Sequence, residues 1–125
     1  MTRPQVVIID DDPDSSDVLA GLLDSLGVET LVVARGDTAQ AELERTRPAL
    51  AIIDLQLPGL NGWQVLERMR QAAATETIPA ITVTAFSSDE VLRRAHQVGF
   101  IACLAKPVRV EVLYKTIREV VAHGL

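Results

Sequence analysis

Five short apolar runs, at residues 6–9, 30–33, 50–53, 80–83 and 102–105, recur along this chain with segments of helical spacing between them. Each run is about the length of a buried strand. This alternation leaves few ways to fold, because neighbouring parallel strands need a connection long enough to hold a helix, and such crossovers are right-handed. The expected class is therefore α/β: a doubly wound, five-stranded parallel sheet with helices on both faces.

The helical segments carry their own punctuation. In the first, Val18, Leu19, Leu22, Leu23 and Leu26 fall on one face, with Asp12 as the expected N-cap, Pro13 at the first helical position and Gly27 as the stop. The second runs roughly over residues 38–45. Val65, Leu66 and Met69 stripe the third after Gly62, and Val91, Leu92 and Ala95 stripe the fourth before Gly99. The fifth follows Pro107 and is expected to bury Leu113, Ile117, Val120 and Val121.

A chain of 125 residues, 48% of them hydrophobic, can bury one core, so residues 1–125 are expected to form a single domain. Cys103 has no partner for a disulfide, which points to a reduced, cytoplasmic setting. Asp10, Asp11 and Asp12 cut the first apolar run far short of a signal peptide or a membrane span. The formal charge of -5, with basic residues scattered apart from short pairs such as Arg93-Arg94, argues against direct nucleic-acid binding. Output is expected through a partner protein or through a domain outside these residues.

Ligands of doubly wound sheets collect beyond the carboxyl ends of the strands. There the first strand offers Asp10-Asp11-Asp12, the third Asp54, the fourth Thr84-Ala85 and the fifth Lys106-Pro107. Two unit negative charges ~4 Å apart repel by about 4 kcal/mol at an effective dielectric near 20, so gathered carboxylates call for a cation. Magnesium fits: it takes oxygen ligands and often only one or two carboxylates plus a phosphate. Lys106 is a second, fixed positive charge. The combination suits phosphoryl transfer, whose catalysis is mostly positioning and charge stabilisation, with one carboxylate as nucleophile.

Taken together, Asp10-Asp11 after a strand, Asp54-Leu55-Gln56-Leu57-Pro58-Gly59-Leu60-Asn61-Gly62, Thr84-Ala85 and Lys106-Pro107 closely resemble bacterial response-regulator receivers over nearly the whole chain. Each motif alone is weak, but four in order at four strand ends are specific. The resemblance implies a flavodoxin-like (βα)5 fold with strand order 2-1-3-4-5. It also implies that Asp54 is the phosphoacceptor, attacking the phosphohistidine of a histidine kinase or histidine phosphotransfer protein to form an acyl phosphate.

By the same resemblance, Asp11 and Asp54 would ligate magnesium, or manganese in its place, with Asp10 acting directly or through water and the Gln56 backbone carbonyl adding an oxygen. Thr84 would hydrogen-bond the phosphoryl group, Lys106 would pair with it, and the bond to Pro107 would be cis. Such a domain is a phosphorylation switch of a two-component system rather than a multiple-turnover enzyme. It performs self-catalysed phosphotransfer and slow dephosphorylation, and it biases the loop after the fourth strand at Thr84 and Ala85.

The match fails at one place. Receivers usually carry Tyr, Phe or His three residues before the lysine, an aromatic that reports phosphorylation to the face of the fourth helix, fifth strand and fifth helix; this chain has Cys103 there. Phe100 and Ile101 occupy a loop where small or acidic residues are usual. Exposed, they would mark a partner or homodimer surface beside that face; folded inward, they would compensate for the missing ring. Cys103 is expected to be a small buried strand residue, not a nucleophile. Trp63 is expected to pack its helix rather than hold a ligand. His96 and His123 lie in helical segments away from the acids and are expected in solvent.

Blander readings exist for the acids: a capped helix start for residues 10–12, a strand-end turn for Asp54. They do not explain why acids, hydroxyl and lysine align. A phosphatase of the haloacid-dehalogenase type needs Asp-x-Asp, which Asp54 lacks because Gln56 stands two residues on. Asp10-x-Asp12 fits formally, but Asp12 suits the cap and the chain has no space for a cap domain. A phosphorylation-independent adaptor draws slight support from the missing aromatic and is opposed by the intact acids, threonine and lysine. Flavin binding is weaker still, since the acids would repel a cofactor phosphate.

Overall fold

The computed structural model describes residues 5–124, and their side chains through Val120. Strands β1 (Gln5–Ile9), β2 (Glu29–Val33), β3 (Leu50–Asp54), β4 (Ala80–Thr84) and β5 (Ala102–Ala105) alternate with helices α1 (Pro13–Ser25), α2 (Gly36–Thr46), α3 (Gly62–Gln71), α4 (Asp89–Val98) and α5 (Val110–Gly124). All pairings are parallel and the order is β2-β1-β3-β4-β5, as the resemblance implies.

Successive strand side chains point to opposite faces, and the core divides accordingly. Val7, Ile9, Ala51 and Ile53 pack with Leu43, Val65, Leu66 and Met69 on one face; Val6, Ile8, Leu50 and Ile52 pack with Leu19, Leu23, Leu113, Ile117 and Val120 on the other. Helices α2, α3 and α4 thus cover one side, α1 and α5 the other. Every residue of β3 and β4 is buried, because both strands are central and covered on both faces.

At α1 the caps are the residues that were expected. The Asp12 carboxylate accepts from the Asp14 N–H at 3.1 Å with Pro13 at the helix start, and Gly27 turns the chain away at φ 78°. Asn61 and Gln64 form a reciprocal capping box on α3, Ser88 accepts from Val91 N–H on α4, and Gly99 ends α4 at φ 111°. The second helix is longer than the 38–45 expected, since Gly36 already lies in it.

Two stripe assignments need correction. Val18 is 58% exposed and Leu92 is 41% exposed. Leu19, Leu22, Leu23 and Leu26 follow the i, i+3, i+4, i+7 spacing of one face, and Val18 lies at its flank. On α4 the same spacing centres on Ala95, the helix's only buried residue, and Leu92 is rotated outward. The side chains of Val121 and His123 lie outside those described.

Candidate functional site

The strand order reverses between β1 and β3, so the carboxyl ends of these two strands lie side by side and β4 and β5 follow on one edge. Asp10 follows Ile9 there with 1% of its surface exposed, and Asp54 closes β3 with 6% exposed. Both carboxylates hold the turn after their own strand: Asp10 Oδ1 accepts from Asp12 N–H at 3.0 Å, and Asp54 Oδ1 accepts from Gln56 N–H at 3.1 Å. Their other oxygens meet one ammonium. Lys106 Nζ donates to Asp54 Oδ2 at 2.8 Å and to Asp10 Oδ2 at 3.0 Å.

The electrostatics record the crowding. Burial raises the Asp54 carboxyl above the ordinary carboxylate value, and the Asp10 charge adds to that, against the opposing pull of Lys106 and the Gln56 N–H. Burial alone would lower the Lys106 ammonium, but its hydrogen bonds and charge contacts with Asp54 and Asp10 outweigh this and leave it raised. Two buried acids sharing one lysine carry a surplus negative charge. Asp11 adds to it: one carboxylate oxygen from each of Asp10, Asp11 and Asp54 lies within 4.8 Å of the other two.

Magnesium takes oxygen ligands, so the chemistry of this carboxylate donor set fits that ion. Thr84, at the end of β4, is 1% exposed and its Oγ1 accepts from Phe86 N–H at 3.1 Å, which leaves the hydroxyl proton as a donor. Asp11, Asp54, Thr84 and Lys106 are among the residues lining a cleft of about 800 Å³.

The loop after Asp54 is held by close backbone contacts. Gly36 N–H donates to the Pro58 carbonyl at 3.1 Å, fixing the loop to the start of α2. A Cβ on Gly62 would lie 2.3 Å from the Asp54 carbonyl oxygen, so α3 begins as near to β3 as a backbone allows.

The sequence matches the response regulator receiver domain over residues 6–118. The chain belongs to that family. This receiver is 31% identical to protein PilH of Pseudomonas aeruginosa over 118 residues, which cover 94% of the chain and 98% of that protein. In structure it is similar to a putative response regulator from Chloroflexus aurantiacus, at a TM-score of 0.91 and 27% identity, with 98% of this chain and all of that one covered. It is also similar to the receiver domain of sensor histidine kinase PA1611 from Pseudomonas aeruginosa, which carries a magnesium ion coordinated in its active site cleft. That match has a TM-score of 0.88, 26% identity and coverage of 97% and 99%.

The receiver's departures resolve unevenly. Phe100 turns inward with 2% exposed, whereas Ile101 beside it is 48% exposed, so the pair neither forms one surface patch nor fills the core together. Cys103 is half-buried rather than buried, and burial pushes its thiol up, away from reactivity. His96 is exposed. The bond between Lys106 and Pro107 is cis. Asp12, engaged at its cap, is not among the three clustered acids.

Trp63 does pack its helix, in edge-to-face contact with Phe100 at 5.9 Å between centroids and 64° between planes. It also forms part of the cleft wall, and the Arg94 guanidinium lies 4.2 Å above its ring centroid. Arg94 escaped the sequence reading because, beside Arg93 on a polar helix, it looks like one more solvated charge. Among the described residues no helix is long and apolar enough to cross a membrane.

Proposed function

We propose that this receiver accepts a phosphoryl group on Asp54 from the phosphohistidine of a histidine kinase or phosphotransfer protein, and thereby switches its interaction with a downstream protein. The observation that carries this reading is the position of Lys106, which bonds the Asp54 and Asp10 carboxylates together where the strand ends converge. An Asp54 oxygen forms the new bond to phosphorus while the phosphorus–nitrogen bond to the donor imidazole breaks, its electron pair returning to nitrogen. Lys106 moves with the developing negative charge, exchanging part of its contact with Asp54 for a phosphoryl oxygen, and Thr84 donates its hydroxyl proton to another.

Asp10, Asp11, Asp54 and the Gln56 backbone carbonyl are the groups that would hold magnesium, or manganese in its place. When bound, the ion would offset the surplus carboxylate charge and polarise the phosphoryl oxygens. The deciding experiment is intact-mass measurement after incubation with a small phosphodonor and magnesium. The wild-type chain gains one phosphoryl group and Asp54→Asn gains none; equal gain in both would remove Asp54 from its role.

A further inference from the structure

Helix α4 is the least anchored of the helices whose side chains are described. Ala95 is its only buried residue, Leu92 and Val98 are exposed, and the segment leading into it, residues 86–88, is exposed throughout. An element with so little buried apolar surface is the cheapest part of a fold to move. Val91 is half-buried against the core, and Arg94 reaches α3, where its guanidinium covers the Trp63 ring. That ring rests edge-on against Phe100, just past the C-cap of α4.

Trp63 and Arg94 line the same cleft as Asp54 and Thr84. Arg94 and Lys106 are the two cations lining that cleft.

We infer that the Arg94–Trp63 stack is a clasp that holds α4 against α3 while Asp54 is unmodified, and that opens when Asp54 gains a phosphoryl group. The inference rests on Asp54 being the acceptor. Conversion of the Asp54 carboxylate to an acyl phosphate exchanges its single negative charge for close to two and sets three further acceptor oxygens in the cleft. The guanidinium is always charged and offers a planar fork of donors, so an anion of that strength draws it from the short-range attraction of an aromatic face. Once Arg94 leaves, Val91 and Ala95 are the α4 side chains left packed in the core, and Trp63 meets water. The route runs through the α3 side of α4, independently of the half-buried Cys103 on β5.

Trp63 is the only tryptophan of the chain, so its emission reads the clasp directly. Emission and intact mass are to be followed together during incubation with a small phosphodonor and magnesium, for the wild type, Asp54→Asn and Arg94→Gln. In the wild type a red shift should grow in step with the phosphoryl mass; in Asp54→Asn neither should appear. Arg94 is exposed, so Arg94→Gln should fold and take up the phosphoryl group to the same extent. Its resting emission should already be red-shifted, with no further shift on modification. Full mass gain without a wild-type shift would overturn the clasp and leave the acceptor intact, as would an Arg94→Gln spectrum and response identical to wild type. No mass gain in the wild type would overturn both.

Discussion

Lys106 bonds Asp54 at 2.8 Å and is itself largely buried, so a single ammonium from the end of β5 closes a site whose acids come from the other half of the sheet. The same ammonium bonds Asp10 at 3.0 Å, and three charges are tied in one contact.

Removing that ammonium should therefore cost more than one exposed ion pair. Lys106→Met leaves two buried carboxylates facing each other, and stability in metal-free buffer should fall by about 3 kcal/mol. Added magnesium should recover part of the loss, because a second cation enters the same charge cluster. Because the folded Lys106 value is raised, its contribution is fully present below 10.5 and is lost as pH rises through that higher value. Denaturant titrations of wild type and Lys106→Met with and without magnesium, repeated at alkaline pH, check both points; unchanged midpoints would remove the electrostatic role.

The raised Asp54 carboxyl carries the opposite lesson for an acid. A carboxyl with a raised folded value binds its proton more tightly in the fold, so its contribution is present below the ordinary value of 3.8 and is lost as pH climbs through the raised one. In metal-free buffer, Asp54→Asn should be more stable than wild type at neutral pH, and the difference should vanish below about pH 4. Thermal melts of the two proteins across this window supply the comparison. A wild type that is the more stable at neutral pH would contradict the assignment.

Magnesium binding by the carboxylate cluster should appear as stabilisation without any phosphodonor. At a hundredfold excess over its dissociation constant the ion should add ~2.7 kcal/mol, and chelator should reverse it. Asp11 is exposed, so Asp11→Asn should fold normally yet lose most of this increment. Melting curves with magnesium and with chelator give the test; an equal increment in the variant would place the ion elsewhere.

Two glycines offer a matched pair of steric tests. A methyl group on Gly62 would lie 2.3 Å from the Asp54 carbonyl oxygen and 2.8 Å from Leu55 Cα, backbone atoms that cannot swing aside. Gly62→Ala should lose ~2 kcal/mol or more and slow phosphorylation, since relief of the clash displaces Asp54. Gly21, in the middle of α1, has nothing within 4 Å of such a methyl group. Gly21→Ala should gain about 0.5–1 kcal/mol through helix propensity. Unfolding titrations of both variants decide.

The alternation of apolar runs with helical stripes was enough to identify a doubly wound sheet, because period and length are local properties that each segment carries on its own. The site residues were legible for a related reason. In a parallel sheet every strand end falls on one edge, so Asp10, Asp54, Thr84 and Lys106 could be grouped before any distance was known. Asp12 at its cap also follows from a bond spanning two residues.

Only packing between distant segments settled the remainder. The outward rotation of Val18 and Leu92, the opposite fates of Phe100 and Ile101, and the stack of Arg94 on Trp63 depend on how each helix is turned against the sheet. That rotation is set by the summed contacts of a whole face, and no local run of residues carries it. The sharing of Lys106 between Asp10 and Asp54 likewise joins residues 96 and 52 positions apart, a closeness that exists only once β1, β3 and β5 lie in one sheet.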